Sequence, residues 1–195
     1  KLPPRVAPVQ VVIVPIAYHK EGVLEKASEV AAALKNAGVR VELDDRDQSP
    51  GWKFNEWEMK GVPVRIEIGP RDIENGQAVA VRRDTHEKSI LSLDGLCEEI
   101  PALLDEIHEN MFKQSHEFLH SRIDVCADMN EMKDALDKGH FVKTMWCGCR
   151  ECEDKIKAEL SATSRVLPFD QTPVGDKCVC CGKPADKVLY FAKSY

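Results

Sequence analysis

Runs of apolar residues along the chain predict strands and helices that follow one another in turn. Gln10 to Ile16 is a continuous β-branched run of strand length, and Val62 to Ile68 alternates apolar and polar residues. Between these two strands, apolar residues recur at helical spacing from Glu21 to Asn36, and Gly38 marks the end of that helix. Further strands are predicted at residues 39–43, 78–83 and 89–93, and further helices at 50–60 and 94–122. This alternation predicts an α/β layer with a mostly parallel or mixed sheet.

The pattern changes at residues 123–127, which we interpret as the boundary between two domains, residues 1–122 and residues 123–195. The second domain is predicted to contain helices at 130–138 and 151–160 and strands at 141–146, 165–167 and 188–192. The GPRDIENG segment after the third strand is predicted to be a turn-rich connection, and Pro101 is predicted to start the main segment of the long helix. The sequence therefore predicts a larger α/β domain followed by a small one.

Composition narrows the class of protein. Of 195 residues, 43% are hydrophobic and 31% charged, which is typical of a globular chain and excludes extensive disorder. The net charge of −6 argues against broad, non-specific nucleic-acid binding but leaves room for a local site. No apolar run has the length of a membrane helix. The chain begins without Met and without an apolar signal core, so we interpret it as a fragment of a longer protein.

Six of the eight cysteines fall between Cys147 and Cys181, in two close groups. Zinc prefers four soft ligands supplied as two close pairs, and such pairs are present here. Spacing alone favours a CxxC pair at Cys149 and Cys152 with another at Cys178 and Cys181, and it also allows Cys147 in place of Cys149. All-Cys ligation without an adjacent His indicates a structural zinc site. The alternative is a thiol redox module with no metal.

The segment from Pro50 to Asp72 combines aromatic and charged side chains on one short helix and the strand after it. An aromatic ring beside a carboxylate can stack an unpaired base while the carboxylate accepts from the N1–H and N2–H of guanine. The alternative is a core helix with a solvated charged face, and the pattern by itself favours this second interpretation. We find no Gly-rich phosphate loop, no nucleophile in sequence context with a His and an Asp, and no paired catalytic carboxylates, and we assign no catalytic residue.

Several motifs together resemble the prolyl-tRNA synthetase family. They are PPRVAPVQVVIVPI, PGWKFNEWEMKGVPVRIEIGPRD, VAVRRDTHEK, WCGCRECEDKIK, CVCCGKPA and a terminal Tyr. The likeness runs from Leu2 to Tyr195 and is to the archaeal and eukaryote-like form with a C-terminal zinc-binding domain. It implies a mixed-sheet class IIa anticodon-binding domain followed by a small α/β zinc-binding domain.

The resemblance also implies a function. The parent enzyme would be a cytoplasmic proline–tRNA ligase that binds tRNA(Pro), does not enter a membrane and forms a homodimer through its catalytic domain. That domain, with its ATP and Mg²⁺, would precede Lys1, so the fragment alone is expected to be inactive. The rival interpretation is a stand-alone tRNA- or protein-interaction module with a structural zinc site.

Individual residue roles follow from the same resemblance. Phe54 matches the aromatic near the anticodon, and Glu58, one helical turn later, matches an acidic base reader. Arg71 and Asp72 match a polar pair, and Lys88 matches a basic contact after the fourth strand.

Two further roles concern the second domain. The WCG motif makes Cys147 the first zinc ligand, and the implied set is Cys147, Cys152, Cys178 and Cys181. Tyr195 matches a C-terminus that reaches the catalytic site of the parent enzyme.

Overall fold

A computed structural model describes residues 1–193, which form two compact units divided between Gln114 and Ser115. The first unit contains strands β1 (Val11–Pro15), β2 (Val41–Leu43), β3 (Val64–Ile68), β4 (Gln77–Arg82) and β5 (Lys88–Ser92). Its helices are α1 (Val23–Asn36), α2 (Pro50–Met59) and α3 (Pro70–Glu74), followed by α4 (Leu96–His120), within which the division between the units falls.

The first sheet has the strand order β2-β1-β3-β4-β5. Its first three strands are parallel, and β4 and β5 run antiparallel to their neighbours. Strand β1 lies between β2 and β3. Its residues, most of them β-branched, are all buried because helices cover both faces of the sheet there. The mixed α/β fold class predicted from the sequence is confirmed.

The two faces of this sheet are covered differently. On one face, apolar residues of α1 and α4, such as Leu34 and Ile100, pack with Ile13 and Ile66 into the main core. On the other face, Trp57 and Phe54 of α2 pack with a smaller group that includes Val12. The alternation of β3 places its polar side chains on this second face, beside α2.

The second unit contains β6 (Ile123–Val125), α5 (Met129–Asp137), β7 (Phe141–Trp146), α6 (Arg150–Leu160), β8 (Ala162–Val166) and β9 (Lys187–Lys193). The strand order of its mixed sheet is β6-β7-β9-β8, with β6 and β7 parallel and the other pairs antiparallel. Its separate core includes Met132 and Leu136 of α5, Ile156 of α6 and Phe191 of β9.

Three local predictions differ from the structure. Residues 123–125 form strand β6, which the residue pattern did not predict because three residues are too few to show a period. The GPRD segment forms helix α3, because the Asp72 carboxylate accepts from the Gly69 N–H at 2.9 Å and caps the first turn. Pro101 lies inside α4, which begins at Leu96. A proline there is tolerated because Ile100 is buried and packing offsets one missing hydrogen bond.

Candidate anticodon-binding surface and metal centre

Helix α2 begins at a strong local signal. The Ser49 side chain accepts from the Trp52 N–H, and Pro50 occupies the first helical position. The helix buries Trp57 against the sheet, so Phe54 and Glu58 lie half-buried at the edge of the packed face. This places a ring and a carboxylate one helical turn apart, on the side of α2 that meets β3.

Arg65 of β3 brings the two predicted α2 residues together. Its guanidinium carbon lies 3.8 Å from the centre of the Phe54 ring, and its Nη1 donates to Glu58 Oε1 at 3.0 Å. The same guanidinium pairs with Glu67, the next residue on this face of β3, at 2.9 Å. We name Phe54, Glu58, Arg65 and Glu67 the α2–β3 cluster. At its centre, the positive charge of Arg65 is balanced by the carboxylates of Glu58 and Glu67.

Strand register extends this surface to β5. Arg65 is paired with Val81 and Val81 with Lys88, so all three side chains lie on the same face of the sheet. On the next row, Glu67 is paired with Val79 and Val79 with Ile90, which is 68% exposed. Lys88 is therefore two strands away from the α2–β3 cluster on an open sheet face.

The predicted pair after β3 divides into two different roles. Asp72 caps α3 through the Gly69 N–H, and its carboxylate is thereby engaged with the backbone. Arg71 is exposed in the first turn of the same helix, at the carboxyl end of β3. In α/β sheets ligands bind outside the carboxyl ends of the strands, which makes Arg71 the member of the pair that is placed for a ligand.

A buried polar network fixes α2 to the sheet. Asp44, 2% exposed and just after β2, accepts from Trp57 Nε1 at 2.7 Å and from Arg46 Nη2 at 2.7 Å. Lys53, 1% exposed, donates to the Asp44 carbonyl at 2.9 Å. Burial by itself raises the pKa of Asp44, but hydrogen bonds from Arg46 and Trp57 outweigh it and lower the pKa to about 2.

Sequence reasoning missed Arg65 and Glu67 as members of the surface. The signal was present, since VRIEI alternates charged residues with apolar ones on the strand that follows helix α2. A charged residue on a covered strand face needs a partner. That partner lies on α2, a contact that strand periodicity alone does not specify.

Four cysteines come together in the second unit. The Sγ atoms of Cys147, Cys152, Cys178 and Cys181 all lie within 4.8 Å of one another. The Sγ atom of Cys147 lies 3.6 Å from that of Cys152 and 3.8 Å from that of Cys181. Ligands about 2.3 Å from a tetrahedral zinc are about 3.8 Å apart, so the donor set fits such an ion in both chemistry and spacing.

Two turns with left-handed glycines assemble this centre. Gly148 has φ 83° and Gly182 has φ 71°, values that favour glycine at each turn. Cys149, which CxxC spacing favours as a ligand, is instead the exposed residue at the start of α6 and lies outside the group of four. The reason is the turn at Gly148, which brings Cys147 rather than Cys149 to Cys152.

Burial and backbone groups act in opposite directions on these thiols. Burial raises the pKa of the Cys152 thiol. Burial also acts to raise the pKa of Cys178, but hydrogen bonds from the backbone at Cys181 and Cys180 lower it to about 7. Backbone N–H groups aimed at sulfur favour a thiolate, which is the form that binds metal. The last predicted site residue, Tyr195, lies outside the described residues.

Two known protein families match different parts of the chain. Residues 10–103 match the family described as "Anticodon binding domain". Residues 129–195 match the family described as "Prolyl-tRNA synthetase, C-terminal". An anticodon-binding domain followed by a prolyl-tRNA synthetase C-terminal segment is the order of domains that the resemblance implied.

Curated relatives extend this likeness over the whole chain. Proline–tRNA ligase of Lachnospira eligens is 52% identical over 195 residues, and proline–tRNA ligase 2 of Clostridioides difficile is 55% identical over 196 residues. Each alignment covers 100% of this chain but only 41% of the relative, so the chain spans less than half the length of the proteins it matches. Among the described residues, no helix combines the length and the apolar character needed to cross a membrane.

Proposed function

We propose that this chain is the part of a proline–tRNA ligase that recognises the anticodon of tRNA(Pro). The observation that carries the proposal is the α2–β3 cluster, in which an aromatic ring, a carboxylate and an arginine share one sheet face with Lys88. Aromatic rings stack unpaired bases, and side chains with fixed donors and acceptors read base edges. The cluster therefore supplies both functions that recognition of a single-stranded loop requires.

Guanine is the base that this cluster suits. Proline anticodons keep guanine at their last two positions, and guanine presents two donors, N1–H and N2–H, on its Watson–Crick edge. The Glu58 carboxylate is an acceptor for such donors, and its pairing with Arg65 at 3.0 Å holds it in place. Arg71, at the end of β3, and Lys88, on β5, supply positive charge for the RNA backbone or for the O6 and N7 acceptors of guanine. Asp72 contributes indirectly, by capping the first turn of helix α3.

The remaining components of the proposal concern the whole ligase. ATP-dependent ligation of proline, with ATP and Mg²⁺, is assigned to a catalytic part outside this chain, and dimerisation and the cytoplasmic location are assigned to the whole enzyme. The four-cysteine centre is assigned a structural zinc ion, held by Cys147, Cys152, Cys178 and Cys181. Zinc there would cross-link two turns and supply no catalysis.

Binding of the purified chain to RNA tests the proposal. An anticodon stem-loop with UGG in its loop should bind more tightly than the same hairpin with UAA, because two guanines are lost. Each mismatch is expected to cost about 1–3 kcal/mol, which is about tenfold or more in Kd. A hairpin with UGG moved from the loop into the paired stem serves as the control. Equal affinity for UGG and UAA loops would refute anticodon recognition by this surface.

A further inference from the structure

The turn between β4 and β5 holds an arginine whose partners differ from those of its neighbours. Arg83 directly follows β4, and its N–H donates to the Pro63 carbonyl at 2.8 Å, continuing the ladder between β3 and β4. Alternation from Val81 places Arg83 on the same face as the α2–β3 cluster. Arg83 therefore extends that face beyond the end of β4.

Within the described part of the chain, the Arg83 guanidinium contacts His86 and pairs with no carboxylate. Its Nη1 lies 3.1 Å from His86 Nε2, and its buried Nε has no hydrogen-bond acceptor among residues 1–193. A guanidinium only donates, so in this contact His86 Nε2 accepts and Nδ1 is the ring nitrogen that can donate. By contrast, Arg65 and Arg82 each pair with two carboxylates. A buried donor without an acceptor is costly, so an acceptor that enters the cleft beside Arg83 would be favoured.

The backbone at this turn is also held in an uncommon conformation. His86 has φ 65°, in the left-handed region that favours glycine. Arg83 and His86 line the same narrow cleft as Trp57, Glu58 and Arg65. The Arg83 side chain thus lies in the same cleft as the Glu58 carboxylate that we assign to base reading.

We propose that Arg83 and His86 bind a backbone phosphodiester of the RNA strand whose bases lie against Phe54 and Glu58. This inference rests on the proposed anticodon recognition. A phosphodiester oxygen accepts hydrogen bonds from the N–H groups of Arg83 and His86. Its negative charge also pairs with the Arg83 guanidinium, which has no carboxylate partner among the described residues. The contact positions the strand without reading its sequence, and base choice remains with the α2–β3 cluster.

Salt-dependent RNA binding tests this contact. The Arg83→Gln chain and the unaltered chain are titrated with the UGG stem-loop over a series of NaCl concentrations. We expect the variant to bind about tenfold more weakly, the loss typical of one charged hydrogen bond. The slope of log K against log salt should decrease in size by about 0.7, the value for one phosphate contact to a single strand. Preference for UGG over UAA should not change.

A control and a second variant separate binding from folding. Arg5→Gln removes an exposed arginine of the same unit, 3.7 Å from Asp105, and should leave affinity and slope unchanged. His86→Gly suits a φ of 65°, so its Tm should not fall, while its affinity should fall about threefold with loss of one donor.

Each outcome of these titrations decides between the two proposals. Unchanged affinity and slope in both Arg83→Gln and His86→Gly would overturn the phosphate contact while leaving anticodon recognition intact. Loss of guanine preference in Arg83→Gln would overturn it by making Arg83 a base reader. An unaltered chain that fails to distinguish UGG from UAA would overturn anticodon recognition together with the inference built on it.

Discussion

Arg65 shows how one residue can prepare a binding surface before its ligand arrives. Its guanidinium stacks on Phe54 and pairs with both Glu58 and Glu67, so three side chains share one rigid, planar partner. Fixing these side chains in the free protein reduces the conformational entropy that binding would otherwise remove. The Glu58 carboxylate is thereby oriented by the protein and not by the RNA.

Substitutions at Glu58 and Phe54 should separate base reading from stacking. Glu58→Gln replaces a carboxylate acceptor with an amide, and discrimination between UGG and UAA loops should fall by about 1–3 kcal/mol. Phe54→Ala should weaken binding of every loop by a similar amount, about 1–3 kcal/mol, with little effect on base preference, because every base offers a π-face. The measurement is the Kd of each variant for both hairpins.

Glu74→Gln is the matched control for this pair, since Glu74 is exposed on α3 and has no assigned role in binding. It should behave as the unaltered chain does. Guanine preference that persists in Glu58→Gln would show that another group reads the base.

The thiols allow a similar comparison of neighbouring residues. Cys147→Ser should remove zinc, because Cys147 belongs to the group of four, whereas Cys149→Ser should keep metal content near one ion per chain. Metal analysis of both purified variants measures this. The reverse result, with zinc in Cys147→Ser and none in Cys149→Ser, would move the ligand assignment. Metal-free, readily oxidised thiols in the unaltered chain would support a redox role instead.

At the scale of elements, buried charged side chains hold helix α2 against the sheet. Asp44 after β2 accepts from Trp57 of α2, and Lys53 of α2 donates back to the Asp44 carbonyl. Removing one partner of a buried ion pair leaves the other charge uncompensated. The position of α2, and with it Phe54 and Glu58, therefore depends on a residue outside the candidate surface.

Asp44→Asn should destabilise the first unit by about 3 kcal/mol at pH 7, since it leaves the Lys53 and Arg46 charges without their buried anion. The folded pKa of Asp44 is about 2 against an ordinary 3.8, so its contribution is complete above about pH 4 and is lost as the pH falls toward 2. Urea unfolding at pH 7 and pH 3 should show the difference between Asp44→Asn and the unaltered chain becoming smaller at pH 3.

Asp45→Asn provides the control, because Asp45 is the exposed neighbour in the same loop. Its stability should match that of the unaltered chain at both pH values. A difference for Asp44→Asn that stayed constant with pH would mean that the ionised carboxylate is not the source of the stability. Asp84, whose pKa is also lowered to about 2, is present in both chains and cancels in the comparison.

The elements also show what sequence alone could establish. The spacing of apolar residues, together with Gly and Pro at the ends of elements, predicted β1, α1 and β3. It could do so because burial of one or both faces requires apolar residues at regular positions. They did not locate β6, whose three residues are held by pairing with β7, a contact set by tertiary structure. The Arg65 contacts were not predicted for the same reason, since they join residues on different elements.

At the scale of the whole molecule, two units with separate cores carry two different kinds of site. The first has an apolar core between sheet and helices, whereas the smaller second unit adds four clustered thiols to its own core. Small domains bury a smaller fraction of their surface and often need a metal or a disulfide for stability. Zinc should therefore matter for the stability of the second unit and not for that of the first.

Removal of the metal tests this separation. After chelation, hydrogen exchange should accelerate in β7 and β9, which pair with each other near the thiol turns, because zinc binding is coupled to folding. Exchange in β1 and β3 should stay slow, and the chain should still prefer UGG over UAA loops, because Phe54 and Glu58 depend on the first core. Mass-resolved exchange of the two sheets measures both responses. Slow exchange retained in β7 and β9 after complete metal loss would show that the second core is sufficient without zinc. Fast exchange in β1 and β3 would show that the stabilities of the two units are coupled.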